Sequence, residues 1–575
     1  MLHLIVHLFC IGLYLYPILQ PNPYGGPTLD ELHIMSSDNK DIQGDSSLLT
    51  ILKNDYWGRP MQKEDSHKSW RPLTVLSLRH LKGLYNTQQL TTHRIVNILA
   101  HATAADLVGV LATRLFPGVA NPFLLHVVTK VVFALHPTHV EVTANAANRN
   151  HIMAVICSIA LSDPFLAMPM FFIAIIAGFL ISETFLFQIP AAIVTMVVVA
   201  NVQILHSKPT RQTQSIHNHH PLFGLILTAI RLLPRIMLLI LSIAVYLGGR
   251  YYFNTLDIPE GLIRPAENPF YPFEGMHRVR NYLYVLSIHI MKSYGLDPVG
   301  FSHEYGFDCI PALDDWEDPR LSLPAILAVL HILSLVAGFY RPKLLLGYVL
   351  IHFAWLLTLF PVSGLVKVGT FVSDRIVVPS SISVSLWVGF GLYYWLTTAI
   401  HYLPAKPLQA LLIGWLLMMS YLKVHNRALE WMDSISLMSS GLKSCPRFAK
   451  LHMEMSKIYS GLYPDQLNLQ QSLDHLEMAR DIDPNFCDLH QQFAHVAIQR
   501  GDYHTYEEEL TQAVLCPFTM GGAYPMWQRY WQVANNNAMG PTEQASVKER
   551  QAYYTRIIQE AVQKEREMEI KSGKL

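Results

Sequence analysis

Up to about residue 424 this chain alternates long apolar runs with short polar turns, and that pattern leaves few folds open. A helix needs about 20 mostly apolar residues to cross a bilayer. Runs of that kind lie at 2–20, 93–115, 122–136, 149–162, 164–180, 184–204, 222–248, 321–339, 344–361, 379–399 and 405–423. In hydrocarbon every backbone N–H and C=O must be satisfied within the segment, so such runs read as helices. The expectation is an all-α, polytopic membrane helix bundle of about eleven spans. Only 15% of residues are charged, against roughly a quarter in soluble domains, and up to residue 424 the charges sit between the runs. The formal net charge of +0 argues against nucleic-acid binding through bulk charge. The first run has no basic n-region and no small-residue cleavage site, so it reads as a retained span rather than a signal peptide.

Basic residues in short loops orient the bundle. Lys208 with Arg211, Arg341 with Lys343, and Lys406 all fall on the side of the N-terminus when eleven spans are counted, which makes that side cytosolic. The opposite, lumenal side receives the loop 21–92, the 136–148 loop, Ser182–Glu183, the 249–320 segment and the 362–378 loop. Nearly every unusual polar cluster of the membrane part lands there, and such clusters beside apolar helices are functional candidates. The stretch 277–297, apolar on one side with basic residues at both ends, reads as an interfacial or re-entrant helix. A transporter is disfavoured, because no paired half-helices or inverted repeat are visible.

From 425 onward the composition is that of a soluble helical protein, which divides the chain into 1–424 and 425–575. X-Pro steps at Cys445-Pro446, Asp483-Pro484 and Cys516-Pro517 recur at spacings of 38 and 33, by the numbering. Small residues at helix contacts (Ala494, Ala497, Ala513) and the Gly501-Asp502 turn fit a tetratricopeptide repeat (TPR) of period about 34, ahead of a plain helical bundle. Tyr506 stands where a small residue is usual, and the first unit has about four extra residues between its helices. Stacked repeats of this kind offer a concave surface for a peptide or protein partner. The six cysteines are scattered, with no CxxC pair, and read mostly as packed thiols.

Four clusters carry residue types suited to chemistry. Asp30-Glu31 follows the first span, and paired carboxylates divide roles, one taking a proton while the other tunes it. For two adjacent acids alone, a solvated loop is the better reading. His136, His139 and Glu141 lie within six residues of one another without a recognised metal spacing, so no metal is expected. Arg149 follows as a fixed cation suited to a phosphate, or as the cap of the next helix. Asp374-Arg375 precedes a span, where Arg375 snorkels, pairs with Asp374 or holds a lipid phosphate. His217, His219 and His220 read as surface residues of a cytosolic loop.

Taken together, NDYWGRPMQKEDSHKSWRPLTVLSLR (Asn54 to Arg79), HPTHVE (His136 to Glu141), Glu183, Ile310-Pro311 and DRIVVPS (Asp374 to Ser380) resemble the transmembrane and tetratricopeptide-repeat protein O-mannosyltransferases, in the family's order and over nearly the whole chain. The resemblance implies a C-type glycosyltransferase fold in the endoplasmic reticulum membrane, multi-pass, with a lumenal TPR tail. It implies transfer of mannose from the lipid donor dolichyl-phosphate mannose to Ser or Thr hydroxyls of lumenal proteins such as cadherin-type domains, with no other cofactor. By that resemblance Asp30 and Glu31 are the catalytic acids, with Asp30 the base or the group that positions the acceptor hydroxyl. Arg149 and Arg375 would bind the donor phosphate, and His136, His139, Glu141, Glu183 and Asp374 would shape the site. The chain departs from the family pattern where Asn148-Arg149-Asn150-His151 replaces Gly-Arg-Ala-Asp, Ile181-Ser182-Glu183 replaces Ser-Lys-Glu, and Glu304-Tyr305 replaces Asp-Trp. The second reading is a non-catalytic membrane scaffold that binds partners through its repeats. The retained carboxylate pair favours the enzyme.

Overall fold

The computed structural model describes the chain outside residues 1, 21, 23–24, 37–38, 64–65, 85–88, 211–212, 214–215, 217–219, 257–262, 367, 371, 399–404 and 572–575. Asp65, Arg211, His217 and His219 therefore lie outside the described residues, as do the side chains of Lys343 and Lys406. Two compact units result. One comprises Met1–Pro259, Phe270–Glu304 and Ala312–Leu437; the other comprises Glu260–Pro269, Tyr305–Pro311 and Met438–Leu575. The division thus falls at Leu437 rather than at 424, because the last apolar helix runs on to Glu430.

The first unit is all helix among the described residues. A helix occupies the body of every apolar run. Its principal elements are α1 (Leu2–Ile18), α2 (Asp30–Met35), α3 (Pro72–Leu84), α4 (Gln89–Leu115), α5 (Pro122–Ala134), α6 (Arg149–Leu161), α7 (Met168–Ile181), α8 (Ile189–His206), α9 (Gly275–Ser293), α10 (Asp374–Thr398) and α11 (Ala405–Glu430). By length and composition, six helical segments are able to cross a membrane: Leu90–Leu115, Glu183–His206, Leu233–Tyr252, Pro319–Tyr340, Asp374–Thr398 and Pro407–Glu430. A bent pair, Pro122–Ala134 with Pro137–Ala144, makes up to seven. The other runs form shorter apolar helices, and proline accounts for two of the breaks. Pro137 interrupts the bent pair, which turns by 60°. Pro234 cannot sit against the carbonyl four residues back, so the run 222–248 divides at Leu232.

In helix α9, Arg280 and Lys292 are buried, His277 and Arg278 half-buried, and Met276, Val279 and Leu283 exposed. Lys292 is drawn inward by Asp297 at 2.5 Å and Asp374 at 2.9 Å. Elsewhere close helix approach fixes the bundle. A methyl group at Gly389 of α10 would lie 2.4 Å from the Thr129 hydroxyl of α5, so only glycine fits there. Helices α1 and α11 share a core of Leu13, Tyr14, Ile18, Ala428, Trp431 and Leu437. Just beyond, Asn22 Nδ2 donates to Asp433 Oδ2 at 2.7 Å. The chain therefore leaves this unit on the face where α1 ends and α2 begins.

The second unit continues as consecutive helices: α12 (Ala449–Lys457), α13 (Leu469–Ile482), α14 (Leu489–Arg500), α15 (Tyr503–Leu515), α16 (Met520–Asn537) and α17 (Pro541–Lys571). The turn after α14 needs a left-handed residue, which Gly501 supplies (φ 74°), and the Asp502 side chain caps α15 at Thr505 N. The extra residues after α12 form a wide turn around Gly461 (φ 121°). Tyr506 is accommodated edge-on to Tyr530, with ring centroids 4.8 Å apart. Two pieces of the 249–320 segment belong to this unit. Arg264 pairs with Asp488 at 2.6 Å, Lys450 with Glu267 at 2.8 Å and Arg447 with Asp308 at 2.6 Å. Disulfides Cys309–Cys445 and Cys487–Cys516 complete it. The reading of the cysteines as packed thiols therefore holds only for Cys10 and Cys157, both buried and free. Scattered spacing gave no sign of the pairing, because the folded chain brings the partners together from 136 and 29 positions apart.

Candidate active site

The two adjacent acids have opposite fates. Consecutive helical residues point about 100° apart, and at the start of α2 that rotation sends Glu31 into the protein and leaves Asp30 half-buried. Glu31 is fully buried. Its carboxylate accepts from Thr28 N (3.0 Å), Thr28 Oγ1 (3.2 Å), Ala146 N (2.6 Å) and Arg94 Nη2 (2.7 Å). The carboxylate thus folds back onto Thr28, the residue that precedes the N-cap, Leu29. Expected beside Asp30 in the chemistry, Glu31 is placed as the group that anchors α2. The carboxylate of Asp30 takes no hydrogen bond or ion pair among the described residues. Leu29, directly before it, is held at φ 49°, a strained setting worth roughly 1–3 kcal/mol of the kind found at functional sites.

Two arginines face Asp30. Arg71, just ahead of α3, forks onto Glu183, with Nε to Oε2 at 2.9 Å and Nη2 to Oε1 at 2.5 Å. Its guanidinium also lies over the Tyr56 ring, 5.1 Å from the centroid. Burial disfavours the Arg71 cation, but Glu183 outweighs it and holds the group above its ordinary value. Burial pushes the Tyr56 phenol up, and its OH donates to Ala147 O at 2.9 Å. Arg375, at the start of α10, pairs with Glu141 at 2.5 Å, and its backbone N–H meets the same carboxylate at 2.9 Å. Of the three roles open to Arg375, pairing with Asp374 is thus excluded, since Asp374 is held by Lys292. The Asp30 carboxylate acts electrostatically on both Arg71 and Arg375. Each arginine keeps partial exposure, 16% and 20%, and each is fixed by a carboxylate, with Arg375 Nη2 also donating to Thr370 Oγ1 at 3.4 Å. The result is a pre-set cationic pair opposite an unengaged carboxylate.

The remaining expected residues hold this arrangement in place. Arg149 is fully buried and turned into α4, donating to Asn97 Oδ1 (2.8 Å) and His93 O (2.9 Å). It fastens α6 to α4, in place of the open cation expected for a phosphate. His139 lies between His101 Nε2 (2.9 Å) and Ser381 Oγ (2.8 Å). His136 Nε2 meets Ser293 O at 3.0 Å. Neither shares a ligand-like cluster with Glu141 among the described residues. Sequence reasoning passed over Arg71, Arg94 and Lys292. Arg71 stands in the quoted motif, but its partner Glu183 is 112 positions away, a separation no spacing rule reaches. The Thr-x-x-Glu spacing of Thr28 and Glu31 was a usable signal that this carboxylate folds back onto the helix start.

Fold and site together define an all-helical protein with several membrane-length apolar helices and a polar cluster in which one carboxylate, unpaired among the described residues, acts on two clamped arginines. Over 426 residues the chain is 26% identical to protein O-mannosyl-transferase F38B6.6 of Caenorhabditis elegans, covering 73% of this chain and 55% of that protein. It is 25% identical over 462 residues to protein O-mannosyl-transferase Tmtc3 of Drosophila melanogaster (72% and 49%). It is 25% identical over 461 residues to human protein O-mannosyl-transferase TMTC4 (73% and 59%). The chain is a homologue of these protein O-mannosyl-transferases, as the motifs led one to expect. It spans about half the length of the curated relatives it matches. No family model matches the chain, and no solved structure does.

Proposed function

We propose that this chain is a protein O-mannosyltransferase of the C-type fold, moving mannose from dolichyl-phosphate mannose to Ser or Thr hydroxyls of lumenal proteins such as cadherin-type domains. The observation that carries the reading is the unengaged Asp30 carboxylate facing Arg71 and Arg375. The acceptor O–H loses its proton to Asp30 as its oxygen attacks C1 of the sugar. The bond from C1 to the phosphate oxygen breaks, and the phosphate departs with the electron pair. Negative charge thus moves from Asp30 to the leaving phosphate, where the arginine donors stabilise it in a site they already occupy. Attack from the face opposite the phosphate inverts a β-linked donor to an α-mannoside. Glu183 and Glu141 orient the two forks, while Glu31 sets the position of α2.

One further observation supports the orientation. Disulfides persist in oxidising compartments, so Cys309–Cys445 and Cys487–Cys516 favour a lumenal second unit. Eleven spans, with Asp30 lumenal in the endoplasmic reticulum, agree with it. The second unit, read as TPR repeats, then serves to select or hold the protein acceptor. The test is direct. Membranes containing the full chain, given labelled dolichyl-phosphate mannose and a cadherin-type domain, should yield protein-bound label that α-mannosidase removes. Absence of label above that of membranes lacking the chain would sink the enzyme reading and leave the scaffold.

A further inference from the structure

At the N-terminal end of α1, about 22 Å along the helix from its C-terminal end at 1.5 Å per residue, lies a polar cluster separate from the Asp30 site. His3 on α1, Asp106 on α4 and His126 on α5 each bring one ligand atom to within 4.8 Å of the others. His126 Nε2 is 3.2 Å from Asp106 Oδ1. The His3 and His126 rings stand edge to face with centroids 4.4 Å apart. A methyl group at Gly109 would lie 2.9 Å from the His126 carbonyl and 3.1 Å from its ring, so α4 is kept bare where that histidine packs. His7 lies one turn from His3, the i, i+4 spacing that puts both on one face of α1. Lys130, fully buried, touches Asp106 Oδ1 at 2.5 Å and His7 Nδ1 at 3.0 Å.

Ionisable groups on apolar helices are costly and mark function. Here three histidines and one carboxylate from three helices gather near a single ammonium group, which contacts two of them, Asp106 and His7. We propose that His3, Asp106 and His126, with His7 as a fourth donor, form a binding site for a divalent transition metal of the zinc class, and that Lys130 is the internal cation holding the site until the ion enters. The donor set is imidazole with one carboxylate, which suits zinc and its neighbours rather than calcium or magnesium, whose sites are built from oxygen. Zinc bonds of about 2.0–2.1 Å in a tetrahedron place ligand atoms roughly 3.3 Å apart. The His126–Asp106 pair already has that spacing. His3, exposed in the first turn of α1, closes the remaining gap by turning its side chain. The ion would staple α1 to α4 and α5. This inference does not depend on mannose transfer.

The test uses the full chain in detergent, freed of metal with EDTA and titrated with zinc chloride by calorimetry, then with cobalt(II), whose visible spectrum reports tetrahedral coordination. The expected result is a site whose affinity falls at least tenfold in His126→Gln and Asp106→Asn and rises in Lys130→Gln, where the competing cation is gone. His3→Gln, on an exposed side chain, tests the ligand set without disturbing the bundle, and tenfold weakening is expected there too. The histidines around His217 and His220 supply an adventitious binder, so the comparison of variants decides rather than the stoichiometry. Zinc affinity unchanged by His3→Gln and Asp106→Asn, or no tetrahedral cobalt spectrum in the wild type, overturns the proposal. Unchanged affinity in Lys130→Gln overturns the role given to Lys130.

Discussion

Replacing Glu31 and replacing Asp30 should have effects of opposite kind, although the residues are adjacent. In Glu31→Ala, Arg94 remains a cation in a site where its side chain is only 2% exposed, with its ion-pair partner gone. Breaking a buried pair on one side costs about 3–5 kcal/mol. The orphaned N–H groups of Thr28 and Ala146 add roughly 1 kcal/mol or more where water cannot reach them. Asp30→Asn removes a charge with no hydrogen bond or ion pair among the described residues, leaving only its longer-range attraction to Arg71 and Arg375 to lose, so stability should change by about 1 kcal/mol or less. The assay is thermal unfolding of the detergent-solubilised full chain by intrinsic fluorescence, with mannose transfer measured on the same preparations. Glu31→Ala should melt many degrees lower, and Arg94→Ala should reproduce the shift. Asp30→Asn should melt like the wild type and lose transfer. Were Glu31→Ala to melt like the wild type and yet transfer nothing, Glu31 would be a participant in the chemistry and the division of labour argued from its hydrogen bonds would fail.

Three other outcomes follow from the same geometry. Arg71→Lys keeps the charge but loses the fork onto Glu183, so kcat/KM should fall by about 10–100-fold, the range of one charge-assisted hydrogen bond at ~1.5–3 kcal/mol. Alkylation of the denatured, unreduced chain should label Cys10 and Cys157 and spare Cys309, Cys445, Cys487 and Cys516, and Cys445→Ser should destabilise the second unit by ~2–5 kcal/mol. Burial holds the His452 and His475 imidazoles below their ordinary value, and for His475 the neighbouring His452 adds to the effect. As pH falls below about 6.5 the unfolded chain takes up these protons before the folded chain does, so their contribution is full above that pH and is lost on acidification towards the folded-state values. The melting temperature should therefore fall between pH 6.5 and 5, and His475→Gln should flatten that slope.

The all-helical architecture was legible because a bilayer-length apolar run has one economical solution. The places of Asp30, Glu141, Glu183 and Arg375 were legible as motifs, but their pairing was not. Asp374-Arg375 looked like a pair by adjacency, yet each turned to a partner far along the chain, Lys292 and Glu141. Arg149 looked like a phosphate ligand because a fixed cation near a membrane surface invites one. The two α4 residues that engage it, His93 and Asn97, are more than fifty positions earlier. The four paired cysteines show the same limit, since local spacing carries no information about partners that only the folded chain brings together. Proline was the better guide, marking both the bend at Pro137 and the division before Pro234.

The central claim is that Asp30 accepts the proton of the acceptor hydroxyl beside two arginines that hold the leaving phosphate. Its most direct test compares wild type and Asp30→Asn for two quantities on one preparation: mannose transfer from dolichyl-phosphate mannose, and binding of dolichyl phosphate. The account predicts that Asp30→Asn binds the lipid phosphate at least as tightly as the wild type, the opposing carboxylate being neutral, while transfer falls by several orders of magnitude. Transfer persisting at the wild-type rate in Asp30→Asn would contradict it.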